Sequence, residues 1–131
     1  MLRKYSLYLV YIALFALLGG CTGGTPSEAD ARQEFEKKSN WSYQIQHGMA
    51  KVLSFKKVNG QSGETFGVKF YMMDYQAQLE FLKNTPRRIG CLEVMEGDCG
   101  GHKVGNKITV SGQIGFGKTE KGWQGQSGTV Y

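Results

Sequence analysis

Thr65-Phe66-Gly67-Val68-Lys69-Phe70-Tyr71-Met72-Met73-Asp74-Tyr75-Gln76-Ala77-Gln78-Leu79-Glu80-Phe81 alternates apolar and polar side chains almost from end to end. Phe66, Val68, Phe70 and Met72 share one parity, with Thr65, Gly67, Lys69 and Tyr71 between them. Past Met73-Asp74 the parity reverses, and Tyr75, Ala77, Leu79 and Phe81 alternate with Gln76, Gln78 and Glu80. A period of two marks a half-buried strand, because successive side chains point to opposite faces. A reversal that contains neither glycine nor proline predicts one long strand carrying a bulge, which bends and twists it. A helix over residues 74–84 competes, since Tyr75, Leu79 and Leu82 also fit helical spacing. The cleaner alternation favours the strand.

The flanks extend this pattern. Residues 49–58 read as a strand, followed by the turn-forming Asn59-Gly60-Gln61-Ser62-Gly63. Thr85-Pro86-Arg87-Arg88 breaks the chain, and residues 89–95 read as another strand closed by Gly100-Gly101. Ile108, Val110, Gly112, Ile114 and Phe116 alternate with Lys107, Thr109, Ser111 and Gln113, a further strand. A turn at Glu120-Lys121-Gly122 returns the chain through Trp123 to Tyr131. Toward the N-terminus, Ser27 is placed as a helix N-cap with Asp30 three residues on. The helix runs from about Glu28 to Lys38, with Ala31 and Phe35 as a narrow apolar stripe. Its early acids and the late pair Lys37-Lys38 complement the helix dipole.

The fold class is therefore α+β: one N-terminal helix packed on a bent antiparallel sheet of about five strands, a single domain over residues 28–131. The layout is similar to cystatin-like folds, and Gly105-Asn106-Lys107-Ile108-Thr109-Val110-Ser111-Gly112 resembles a strand of an OB-type barrel. Neither likeness carries a function.

The first twenty residues are set apart from that domain. Arg3 and Lys4 precede an uncharged apolar run, Leu7 to Leu18. That run is too short to span a hydrocarbon core about 30 Å thick, which takes about 20 residues, so it reads as a signal peptide. Leu18-Gly19-Gly20-Cys21 resembles the lipobox of bacterial lipoproteins. The resemblance covers residues 1–21 and implies cleavage between Gly20 and Cys21, acylation of Cys21, and residues 21–27 as a lipidated tether. Two or more acyl chains hold a protein stably on a bilayer where one does not. Thr22, rather than Asp, after the cysteine implies sorting to the outer membrane, facing the periplasm, in a Gram-negative cell.

Removing Cys21 to lipid leaves Cys91 and Cys99, an even pair that suggests a disulfide in an oxidising compartment. A zinc site from Cys91, Cys99 and His102 lacks an evident fourth ligand, so no metal is assigned. The 131-residue chain carries a formal charge of +5. Loss of Arg3 and Lys4 leaves 14 basic residues against 11 acids, a balance of +3. The remaining basic residues are dispersed, which speaks for a solvated surface rather than a nucleic-acid partner.

Gly112-Gln113-Ile114-Gly115-Phe116-Gly117-Lys118-Thr119 matches the pattern of a phosphate-binding loop. That chemistry requires a helix immediately after the loop. Here Gly122, Gly125 and Gly128 follow instead, so no nucleotide or cofactor is expected. His47 and His102 are the only histidines, and no catalytic residue is assigned. Glu93, Glu96 and Asp98 cluster near the cysteine pair and are read as a solvated loop face. Trp123, Tyr71 and Tyr131 are the candidate binding surface, since exposed aromatics anchor protein contacts.

The expected function is that of a membrane-anchored envelope lipoprotein, a non-catalytic binding or accessory protein in envelope or secretion-system assembly. A periplasmic inhibitor or immunity-type lipoprotein is the second expectation, with the Cys91–Cys99 loop entering a partner's cleft. A small envelope hydrolase is the third.

Overall fold

The computed structural model describes residues 24–131, so the expected signal peptide, its cleavage site and Cys21 lie outside the described residues. The first element is α1 (Glu28–Lys38), begun as its sequence requires. The Ser27 hydroxyl accepts the Asp30 amide at 3.1 Å, while the Asp30 carboxylate accepts the Ser27 amide at 2.8 Å. This reciprocal cap satisfies amides that no helical carbonyl can reach. A short α2 (Ser42–Gln46) follows, then β1 (Ala50–Thr65), β2 (Val68–Phe81), α3 (Glu93–Glu96), β3 (Lys107–Thr119) and β4 (Gly122–Gly125). The strands form one antiparallel sheet in the order β1-β2-β3-β4. The fold is α+β, with α1 laid on one face of an open four-stranded meander.

One strand fewer forms than expected. Residues 89–92 are loop and 93–95 belong to α3, because β2 pairs directly with β3 from Phe70–Gly117 to Glu80–Lys107 and leaves no slot between them. Edges remain at β1 and β4, so no barrel closes. The parity reversal in β2 has a different origin from a bulge. Tyr71, Met73, Tyr75, Ala77, Leu79 and Phe81 are all buried on one face, and the register with β3 is unbroken. Phe70 and Met72 lie on the opposite face, where the sheet is locally apolar. The bulges are on β1 instead, between Val52 and Ser54 and between Lys57 and Asn59. Residues 74–81 are strand, not helix.

The expected loop at residues 59–63 is also strand. Gly60 pairs with Met73 and Gly63 with Phe70. A side chain on either glycine would meet the ring of Tyr71 or Phe70. These glycines therefore let rings lie across the backbone rather than make a turn. The turn falls at Phe66-Gly67, between the paired Thr65 and Val68.

The core sits between α1 and the sheet. Ala31 and Phe35 are fully buried, and the Phe35 ring meets Tyr75 edge-on at 5.1 Å while Phe55 stacks on Tyr75 at the same distance. Burying such a ring contributes about 2–3 kcal/mol. The C-terminal segment is clasped to α1 by Glu34, which is 2% exposed. Its carboxylate accepts the Ser127 amide at 2.5 Å, the Ser127 hydroxyl at 2.6 Å and the Tyr131 hydroxyl at 2.9 Å.

Antiparallel pairing gives the domain two unlike ends. The long β2–β3 connection, residues 82–106, lies at one. The two tight turns, Phe66-Gly67 and Glu120-Lys121, lie at the other. Fourteen residues of β2 separate them, about 45 Å at 3.3 Å per residue.

Candidate functional site

The β2–β3 connection is built from breakers and cross-links rather than regular structure. Pro86 lies near its start, and Gly90, Gly97, Gly100, Gly101 and Gly105 all take positive φ. Left-handed backbone suits glycine because it has no Cβ to clash. Cys91 and Cys99 are joined by a disulfide with their Cα atoms 5.7 Å apart. Both cysteines are buried, so the bond closes the loop from beneath. The loop's base is stitched by backbone bonds, Thr85 N–H to His102 O at 2.8 Å and Arg88 N–H to Cys99 O at 2.8 Å.

Above that base the loop presents an aliphatic surface. Ile89 and Val94 are fully exposed, with Leu92 and Met95 largely so. Ion pairs flank them, Arg87 to Glu93 at 3.0 Å and Arg88 to Glu96 at 3.1 Å. Exposed pairs of this kind contribute at most about 1 kcal/mol each. Single exposed apolar residues are ordinary, but four within seven positions, three of them inside the disulfide-closed loop, are a concentration of the kind that marks interaction sites.

Beside the loop, His102 is wedged against aromatic rings. It stacks on Phe81 at 4.0 Å, meets Trp41 edge-on at 6.4 Å, and its Nε2 lies 2.5 Å from an Asp98 carboxylate oxygen. The three loop carboxylates therefore each face a cationic or imidazole partner: Glu93 to Arg87, Glu96 to Arg88, Asp98 to His102. No group of three or more metal-ligating side chains occurs among the described residues. An open cleft of about 700 Å³ runs between α2 and the loop, lined by Trp41, Gln44, Met49 and Pro86 among others. The Gln44 side-chain oxygen is buried there with no hydrogen-bond partner among the described residues.

Comparison with protein-family models, curated proteins and solved structures returns no match. The site is accordingly read from its geometry alone.

The aromatic trio expected as a binding surface gathers near the other end of the sheet, and it is engaged in packing. Tyr71 is 4% exposed and part of the core. Trp123 meets Tyr71 edge-on at 6.2 Å and donates from Nε1 to the Gly24 carbonyl at 2.5 Å. Tyr131 is half-buried on Glu34, and burial, then the Glu34 hydrogen bond and charge, push its hydroxyl pKa up to about 12. Gly112 to Thr119 lie wholly within β3, with no helix after them. Lys118 sits 5.1 Å over the Trp123 ring, a cation–π contact rather than a phosphate cradle.

Sequence reasoning located the cysteine loop but missed its exposed apolar residues. Residues 89–95 are apolar enough to pass for a buried strand. The signal against that reading is the density of glycine around them, at 90, 97, 100 and 101.

Proposed function

We propose that this chain is a lipid-anchored envelope protein, without catalysis of its own, that docks another envelope protein through the Cys91–Cys99 loop. The observation that carries this reading is the pairing of a disulfide-closed base with four exposed aliphatic side chains, Ile89, Leu92, Val94 and Met95. A loop held rigid before binding loses little entropy on docking, so its apolar surface counts more fully toward affinity. The neighbouring cleft, lined by Trp41, Met49 and Pro86 among others, supplies a recess beside the loop. An accessory role in envelope or secretion-system assembly fits an anchored protein with such a surface. A protruding, rigid, aliphatic loop also favours the inhibitor reading, in which it enters a partner's cleft.

The place of Gly24 supports the same polarity. Gly24, the first described residue, is held by Trp123 at the end opposite the loop. An anchor at Cys21 leaves the loop end pointing away from the bilayer.

The test is site-specific photocrosslinking in intact cells with a diazirine residue in place of Val94, followed by partner identification. One stoichiometric envelope protein, lost when Leu92 or Met95 is changed to Asp, is expected. No protein adduct at position 94 or 89, together with turnover of an envelope polymer by the purified chain, overturns the docking reading.

A further inference from the structure

The turn between β1 and β2 breaks a local rule and gains no packing by doing so. Phe66 has φ +49° and Gly67 φ +76°, so both central residues of this two-residue turn are left-handed. Such type I′ turns favour Asn-Gly, because a bulky side chain is strained in the left-handed region. Phe66 is fully exposed, so its ring packs on nothing within the fold. Val68, beside it, is more than half exposed. Strain that the fold does not repay points to a use outside it.

The neighbouring geometry says what lies outside. Trp123 pairs with Lys118, one residue on from the Phe70–Gly117 pair. One residue before Phe70 on β2 is Lys69, paired with Glu64, which is two residues short of Phe66, about 7 Å along the strand. Trp123 also holds the Gly24 carbonyl. Cys21 is three residues before Gly24, a reach of about 10 Å when fully extended. The tether and the strained turn therefore leave the domain at the same end. Lys118 lies over Trp123 there, Lys69 pairs with Glu64, and Lys121 stands in the adjoining turn beside Glu120, three lysines to two acids. Lysine and tryptophan around a protruding apolar tip are the composition of a membrane-interface contact.

We infer that the Phe66-Gly67-Val68 turn is a second membrane foot, which dips into the phospholipid interface and, with the anchor, fixes the domain's orientation. The proposal rests on the proposed acylation of Cys21, which brings this end to the bilayer. A single tether leaves the domain free to pivot; an inserted turn stops it and holds the Cys91–Cys99 loop outward.

The experiment uses the full lipidated chain in vesicles of phosphatidylethanolamine and phosphatidylglycerol. A diazirine residue is placed at Phe66, at Val68 or, as the far-end control, at Val94. Lipid adducts at 66 and 68 are expected to exceed those at 94 about tenfold, the worth of burying one large apolar side chain. Phe66→Asn supplies the preferred turn residue, so it is expected to keep or raise the melting temperature while cutting lipid adducts at 68 about tenfold. Fatty-acid labelling of Cys21 is scored on the same samples. Labelled Cys21 without lipid adducts at 66 overturns the foot and leaves the anchor standing. Protein adducts at 66 in cells, or a lowered melting temperature in Phe66→Asn, also overturn it. Unlabelled Cys21 overturns the anchor reading and the foot with it.

Discussion

Glu34 and Tyr131 stand 97 positions apart in sequence, yet the Tyr131 hydroxyl donates to the Glu34 carboxylate at 2.9 Å. Ser127 donates to the same carboxylate twice, through its amide and its hydroxyl. One buried acid thereby ties the middle of α1 to the C-terminal segment, and Gly125 gives it room, since a Cβ there would strike the carboxylate. Glu34→Ala is expected to destabilise the fold by about 3 kcal/mol, because hydrogen bonds to a charged group contribute about 1.5–3 kcal/mol and their donors are left unpaired. Urea unfolding measures it, and a loss under about 1 kcal/mol argues against the clasp.

The same contact predicts a response to alkali. Burial, then the hydrogen bond and negative charge of Glu34, raise the Tyr131 pKa from 10.0 to about 12. A raised folded-state pKa means that the contribution is complete below pH 10 and declines as pH rises through 12. Between those values the wild type should lose stability faster than Tyr131→Phe, which has no hydroxyl to ionise. Parallel slopes for the two proteins would show that the tyrosine is not coupled to folding.

The disulfide spans eight positions, and closing a loop of that size stabilises by about 2.5 kcal/mol on the chain-entropy account. Cys91→Ser with Cys99→Ser should lower stability by about that amount while the far-ultraviolet spectrum of the sheet persists. Mass spectrometry without reduction should find the Cys91–Cys99 linked peptide in protein taken from the envelope. Two free thiols there would remove the rigid base on which the proposed docking depends.

Metabolic labelling with a fatty acid checks the proposed anchor directly. The wild-type chain should take up label and Cys21→Ser should not. Equal labelling of the two ends the lipoprotein reading.

Lys118 lies over the Trp123 ring within a strand. Lys118→Ala should therefore cost only about 0.5 kcal/mol, the worth of an exposed cation–π contact. Nucleotide binding by the wild type that this change abolishes would restore the phosphate-loop reading.

Much of the fold was legible because local signals agreed with one another. The Ser27–Asp30 cap, the early acids and Lys37-Lys38 bound α1 where the residues predict, with Ala31 and Phe35 as its buried stripe. Alternation marked β2 and β3, since the two faces of a half-buried strand meet different solvents. Misreadings arose where one residue type serves two purposes. Gly60 and Gly63 look like turn formers but make room for the rings of Tyr71 and Phe70. Apolar residues 89–95 look like a strand but form a loop and the start of α3. Phe70 and Met72 look like a change of phase but belong to the face away from α1.

The sequence by itself determined the elements whose causes are local: the capped helix, the alternating strands, the paired cysteines and the absence of a helix after Lys118. Tertiary structure alone decided which strands become neighbours and which apolar residues stay outside. Those outcomes depend on competition among distant segments for the same faces. Because β2 and β3 pair along their length, residues 89–95 have no slot between them and stay outside the sheet. Because Glu34 takes Ser127 and Tyr131, the hydroxyl of that C-terminal aromatic is bound to α1. No spacing rule reaches across ninety-seven positions, so that use of Tyr131 exists only once the chain has closed on itself.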